Sequence, residues 1–498
     1  MNNPLTDRIA RLNDVLCTVN LLNWDARVMM PAGGAETRGH QIATLMGMAR
    51  DMILDPGMGD AAEAVLQTAD KDIDRRAAHA VLAAREYHSR IPAESLRRQA
   101  EQSITAGAAW AHARSIGDFA VFQPHLQLIV DLAREKAAAL GYDGHPYDPM
   151  VQVFEPGATA QGLSVFFDQL RTGIRPILDN VLSRPAPRSD FLFRDYPIEG
   201  QQAFCDYIVR VLGYDMERGR LDTSVHPFEI SMTRNDVRIT SRWNRNYLPM
   251  SIFGAIHEAG HALYEMGGDP ALMRGAHTTD IIGLYAVGGT SFGMHESQSR
   301  LLENHIGRSP AFWNAHYCKL RDTFPDQLSD VSEAEFVAAI NRVDPGLTRV
   351  EADELTYDMH VMLRVQIEMA LMDGSLNVAD VPEAWNAAMQ RDLGLAVPDD
   401  TLGCLQDVHW SHGYIGSFPT YTIGNSTAAQ IMEYLDVEHP GVRTAVSDGN
   451  LEPLRNHLSD IVWQHGRSRC RAEILSQIGA SEYDPTAYLS YLRAKFTY

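Results

Sequence analysis

The chain has 498 residues, 45% of them apolar and 21% charged, which is enough to bury a sizeable core and unlike a disordered or collagen-like composition. Its formal net charge of −21 argues against a nucleic-acid partner, which needs a basic face, and no apolar run is long enough to span a bilayer. Five scattered cysteines without a C-x-x-C pair argue against a cysteine metal site. The opening MNNPLTDRIARLND lacks the basic-then-apolar build of a secretory signal, so a cytoplasmic protein is the expectation. Apolar positions at helical spacing predict helices over residues 36–54, 58–94 and 96–140, with Pro-containing breaks at Asp55-Pro56, Ile91-Pro92, His145-Pro146 and Arg184-Pro185-Ala186-Pro187. Val225 to Met232 and Val237 to Ser241 read as two short strands around the polar turn Thr233-Arg234-Asn235-Asp236. Helical character returns from Pro249 to Met266. A further helix is expected from about Glu351 to Asp373, with Leu355, Met359, Met362, Leu363, Ile367 and Ala370 as core packing on one face. The expectation is a mostly α protein with a small antiparallel β element, forming one domain over 1–498. Within it a helical lobe covers about 1–220, the β element and metal site about 221–300, and a helical remainder 301–498.

His257-Glu258-Ala259-Gly260-His261 is an H-E-x-x-H sequence. Residues four apart on a helix share a face, so both imidazoles can reach one Zn²⁺, and Glu258 can lie beside it as general base without binding it. Apolar residues on both sides, Ser251 to Ile256 and Ala262 to Tyr264, place the motif on a buried helix, where Ala259 and Gly260 permit close approach of neighbouring structure. A catalytic zinc usually takes three protein ligands. Residue 267, where a metzincin carries its third histidine, is Gly267, which leaves a later carboxylate. Glu296, Glu265 and Asp280 are the candidates, and spacing favours Glu296.

The chain resembles the carboxypeptidase Taq family. The resemblance lies in Leu22-Asn23-Trp24-Asp25, Met30-Pro31, His226-Pro227-Phe228, Asp236-Val237-Arg238-Ile239-Thr240, the H-E-x-x-H, His295-Glu296-Ser297-Gln298, Arg349-Val350-Glu351-Ala352-Asp353, and Gly403 through Trp410. It implies metal ligation by His257, His261 and Glu296, with Glu258 as base. It implies a neurolysin-like helical fold with a deep groove, a homodimer, and release of single residues from peptide C-termini with broad specificity. An exopeptidase must grip a terminal carboxylate, and arginine does so bidentately; Arg349 and Arg238 lie in two of these motifs. Asp236 and Asp353 are candidate partners for them. His409 and Tyr421 are candidate donors to the oxyanion or the substrate backbone, and His226 is a candidate groove residue. Between His261 and Glu296, the segment around Ala276 to Tyr285 is longer than the family pattern implies, and is expected to form a loop near the site that either alters substrate access or brings His277 close to the metal. The His₂Glu set accepts Zn²⁺, Co²⁺ or Mn²⁺. A zinc oligoendopeptidase of related helical fold is the alternative, and a non-catalytic helical scaffold the reading of another class; intact Glu258 argues against the latter.

Overall fold

The computed structural model describes residues 4–497, and they divide into two compact units. The first comprises Met1–His88, Pro187–Asn341 and Thr427–Glu482. It begins with α1 (Pro4–Val28) and α2 (Ala35–Leu54), continues through helices Pro56–Thr68 and Asp72–Arg90, and holds the sheet. The break between the last two helices, at 69–71, interrupts what the sequence periodicity reads as one helix over 58–94.

The sheet has three strands, β1 (Gly219–Thr223), β2 (Glu229–Thr233) and β3 (Asp236–Ser241), in the order β1-β3-β2. The predicted hairpin is present: β2 runs antiparallel to β3 across the tight turn Arg234-Asn235, with an irregularity between Ser231 and Thr233. Val237 and Ile239 are fully buried, as alternation along β3 requires. The third strand is an addition that makes the sheet mixed, because β1 pairs parallel to β3. Its sequence, Gly219-Arg220-Leu221-Asp222-Thr223, has one apolar residue and no alternation to read. Position 219 must be glycine, since a Cβ there would lie 2.1 Å from the Tyr214 hydroxyl and 2.3 Å from the Val237 carbonyl oxygen. That hydroxyl donates to the same carbonyl at 2.7 Å, tying the strands together.

Next comes α3 (Leu248–Gly267), buried along nearly its whole length from Leu248 to Met266. Pro249 sits in its first turn, where a missing N–H costs nothing. The main core of this unit forms around Ile252, Phe253, Ile256, Ala259 and Leu263 of α3, with Phe204, Ile208, Trp313 and Leu435 from other segments. A second core joins Leu5, Leu12 and Leu16 of α1 to Ile53, Ala78, Val81 and Ile281. Asn20 of α1 reaches inward, its amide donating to the Ser231 and Ala286 carbonyls at 2.8 Å each. After the loop 268–291 comes α4 (Phe292–Arg300), capped by Ser291, and then a stretch of π-helix from Leu301 to Gly307.

The second unit comprises Ser89–Ala186, Arg342–Ser426 and Tyr483–Tyr498. Helices Ala93–Ile116 and Phe119–Leu140 replace the single helix expected over 96–140. Gly117, at φ 69°, ends the first in the left-handed conformation, and the Asp118 side chain caps the second by accepting from Ala120 N at 2.9 Å. The expected 351–373 helix begins later, as α5 (Tyr357–Asp373), because Asp353 closes a turn by accepting from the backbone N–H groups of Leu355 and Thr356. Met359, Met362 and Leu363 are fully buried, as core packing requires.

Glu368 of α5 ties three segments together. Its carboxyl accepts from the Tyr147 hydroxyl at 2.7 Å, Trp410 Nε1 at 2.9 Å and Gly416 N at 3.0 Å. Burial outweighs these donors and pushes its pKa up to about 7. The folded state therefore keeps a proton that the unfolded chain releases near 4.5. Stability from this group is complete below the unfolded value, is lost as pH rises towards 7, and levels off above, a change of about 3 kcal/mol. Urea midpoints measured between pH 4.5 and 8 should fall less steeply in Glu368→Gln than in the parent. Parallel profiles would show that this carboxyl does not carry the slope.

Candidate metal centre

The two histidines of α3 project from one face, as i, i+4 spacing dictates, and α4 brings Glu296 against them. Nε2 of His257 lies 3.7 Å, and Nε2 of His261 3.4 Å, from Glu296 Oε2. Ligand atoms of these three residues all lie within 4.8 Å of one another, the one such group among the described residues. A tetrahedral ion with ligands at 2.0–2.1 Å needs donors about 3.3–3.4 Å apart, so the set fits a zinc-sized dication after a small contraction. The close crossing of the two helices depends on Gly260: a Cβ there would lie 2.5 Å from Ser299 Cα and 2.6 Å from the Gln298 carbonyl oxygen.

The atoms not facing this point are held from behind. Oε1 of Glu296 accepts from Arg300 Nε at 2.7 Å, leaving Oε2 for the ion. His257 Nδ1 lies 3.0 Å from Glu303 Oε2, and Arg300 and Arg308 bracket Glu303 at 3.4 and 3.0 Å. His261 Nδ1 lies 2.6 Å from His295 Nδ1, whose Nε2 lies 3.0 Å from Glu265 Oε1. Burial works against ionisation of Glu296, but Arg300 and the two histidines hold it well below the usual carboxylate range. Glu303 is lowered in the same way, by His257 and the two arginines against burial. Burial lowers His261 to about 4, keeping its imidazole neutral as a ligand must be.

Glu258 is 6% exposed, and burial pushes it up to about 7, with the charge of His257 opposing and those of Glu296 and Glu303 assisting. The Glu229 backbone N–H of β2 opposes this rise as well. The Glu229 side chain lies on the same face of β2 as Ser231, and its Oε1 is buried without a partner. Burial, then the charges of Glu265 and Glu258, hold it well above the usual range.

Other expected residues are placed as follows. Glu265 is turned to His295, and Asp280 is occupied by Gly283 N and Arg467; neither belongs to the ligand group. His277 does not approach the metal group: its Nε2 is bonded to the Ile73 carbonyl at 3.0 Å. Arg238 is gripped bidentately by Asp236 at 2.8 and 2.9 Å and lies 4.3 Å over the Trp24 ring, so Asp236 is the partner foreseen for it. His226 is exposed between β1 and β2, its carbonyl accepting from the Ser224 hydroxyl.

In the second unit, Arg349 pairs with Asp407 rather than with Asp353, which is occupied in the turn before α5. Its Nε and Nη2 reach Asp407 Oδ1 at 3.0 and 2.8 Å, and its Nη1 donates to the Tyr357 hydroxyl. Arg364 takes the other oxygen, Nε to Oδ2, at 2.6 Å. Two buried guanidiniums thus share one carboxylate. His409 Nε2 meets the Tyr421 hydroxyl at 3.1 Å, and its ring packs 4.5 Å from Phe418.

Glu303, His295 and Glu229 were not foreseen as site residues. Glu303 had a signal, since it follows Glu296 by seven positions with Arg300 between them. Glu265 continues the His257, His261 stripe of α3, and that spacing by itself reads as a further ligand. Glu229 offers no signal, because a lone acid in a strand is unremarkable.

Among the described residues no helix is long and apolar enough to cross a membrane. Residues 4–496 match the family described as carboxypeptidase Taq (M32) metallopeptidase. Carboxypeptidase 1 of Bacillus subtilis is 34% identical over 495 residues, covering 99% of this chain and 97% of that protein. Thermostable carboxypeptidase 1 of Thermus thermophilus is 36% identical, covering 96% and 94%. The crystal structure of a carboxypeptidase from Deinococcus radiodurans superposes with a TM-score of 0.94 at 37% identity, covering 99% and 98%. At 11% identity and a TM-score of 0.64, PZ peptidase A shares the fold alone. This chain belongs to the carboxypeptidase Taq family of metallopeptidases.

Proposed function

We propose that this protein hydrolyses the last peptide bond of peptides, releasing C-terminal residues with broad specificity. The observation that carries this is the His257, His261 and Glu296 donor set beside Glu258, in a chain that aligns end to end with proteins named carboxypeptidases. A dication held by these three residues supplies Lewis acidity, polarising the scissile carbonyl and making water acidic enough to deprotonate near neutrality. Glu258 takes the proton of the attacking water on its carboxylate and delivers it to the leaving amine. Two nitrogens and one carboxylate oxygen favour Zn²⁺, with Co²⁺ and Mn²⁺ as substitutes.

An exopeptidase also needs a cationic group for the substrate carboxylate. Arg349 and Arg364 on the single carboxylate of Asp407 leave one uncompensated positive charge, which supports an anion-binding role for Arg349. Arg238 is the weaker anchor, since Asp236 already fills its fork. His409 and Tyr421, with hydrogen-bonding tips in contact, suit the role of donors to the substrate carbonyl or oxyanion, and exposed His226 suits a place along the bound peptide.

The chain 1–498 is taken as one catalytic domain. A cytoplasmic location accords with five unpaired cysteines. A homodimer accords with the outer face of α2, where Gly39, Ala43, Gly47 and Met48 are exposed. The test is release of the last residue from an N-blocked peptide, run beside its C-terminal amide with and without Zn²⁺. Metal-dependent release from the free acid alone is expected. Equal cleavage of both would make the protein an endopeptidase.

A further inference from the structure

The two histidines of the metal centre are backed by different groups. Behind His257 stands a carboxylate, Glu303, in direct contact with Nδ1. Behind His261 stands another imidazole: His295 Nδ1 is 2.6 Å from His261 Nδ1, with ring centroids 4.7 Å apart. Two nitrogens at that distance hold one proton between them. His261 presents Nε2 towards Glu296 Oε2, so a metal bound there requires Nε2 bare and the proton on Nδ1. His295 Nδ1 must then be the acceptor, which places the His295 proton on Nε2, 3.0 Å from Glu265 Oε1.

Glu265 is built to receive it. The carboxylate is 7% exposed and already fixed by the backbone N–H groups of Gly288 at 2.8 Å and Gly289 at 2.9 Å, and by the Ser231 hydroxyl at 3.1 Å. An acceptor-only group at Oε1 excludes the His295 tautomer that lacks a proton on Nε2. That excluded tautomer would set its Nδ1–H against His261 and drive the His261 proton to the metal-facing nitrogen. The His295 ring is also confined sterically: a Cβ on Gly289 would lie 2.3 Å from His295 Cδ2, and the Tyr264 ring lies 5.4 Å away on centroids.

We propose that Glu265 and His295 act as positioning residues that fix the Nδ1-protonated tautomer of His261, and thereby set the affinity of the centre for its metal, without touching the ion. This rests on the assignment of His257, His261 and Glu296 as the metal ligands. Partners of this kind typically contribute 10–100-fold in metal affinity.

The zinc dissociation constant, measured by chelator competition on the full-length apoprotein, should rise about 10–100-fold in His295→Leu. His295→Gln keeps one acceptor and one donor in a planar group and should recover most of the loss. In the leucine background, Glu265→Gln should add nothing further, because its route to His261 is already cut. The melting temperature of each apoprotein separates this from general loosening, which would lower stability in proportion and gain nothing from glutamine. Should the leucine variant not fold, Glu265→Gln alone is informative. Its neutral acceptor should weaken zinc binding and alter the visible spectrum of the Co²⁺-loaded protein. Zinc affinity unchanged in these variants, or losses that simply add, would overturn the relay. A parent protein that binds no zinc would instead overturn the ligand assignment, and the relay with it.

Discussion

Glu258→Gln should lower kcat/KM on an N-blocked peptide by about 10²–10⁴-fold while leaving zinc affinity near that of the parent. Glutamine keeps the shape of the side chain and an acceptor oxygen. What it cannot do is accept the proton of the attacking water. The metal should stay because Glu258 is outside the group of three donors. Its environment suits a base that must release the proton again: burial raises it to about 7, and a bound dication pulls it back down. Rate and affinity must be read together. A loss of both would mean that Glu258 maintains the site rather than performing the proton transfer. Activity retained within tenfold would move the role to another carboxyl.

The parts of the site legible in the sequence were those set by local periodicity. His257, Glu258 and His261 follow from one helical repeat, and Gly260 between them signalled the close crossing that Ser299 and Gln298 now make. Glu296 was legible because a third ligand was required and few carboxylates follow α3 at suitable spacing. The layer behind the candidate ligands was not. His295 meets His261 across 34 positions, and Glu265 meets Gly288 and Gly289 across 23 and 24, distances that no periodicity encodes. The same limit explains the missed strand. β1 is held by its pairing with β3 and by the Tyr214 hydroxyl, and its own residues carry no strand signal. It also explains why Asp353, near Arg349 in sequence, looked like its partner. A buried guanidinium pairs with the carboxylate the fold brings to it, and that is Asp407, 58 positions on.

Asp407→Asn should destabilise the protein by about 3–5 kcal/mol, the usual consequence of removing one member of a buried ion pair. Arg349 is 6% exposed and Arg364 not at all, and both rest their charge on this one carboxylate. Burial alone would raise Asp407, yet the two arginines hold it well below the usual carboxylate range. Burial also wins at Arg364, lowering it to about 10, while Arg349, with Asp407 and the Tyr357 hydroxyl in contact, is raised. Asparagine would leave two buried cations sharing neutral acceptors. Arg349→Met removes the excess charge instead, leaving Arg364 and Asp407 as a balanced pair, so its cost in stability should be the smaller of the two. The catalytic consequences should run the other way. If Arg349 grips the substrate carboxylate, the methionine variant should raise KM for free-acid peptides while folding nearly as well as the parent. Urea denaturation of both variants, set beside their KM values, checks the whole account. A loss below about 1 kcal/mol in Asp407→Asn would mean that the arginines are not charge-compensated by this carboxylate. The case for a surplus positive charge awaiting an anionic substrate end would then fail with it.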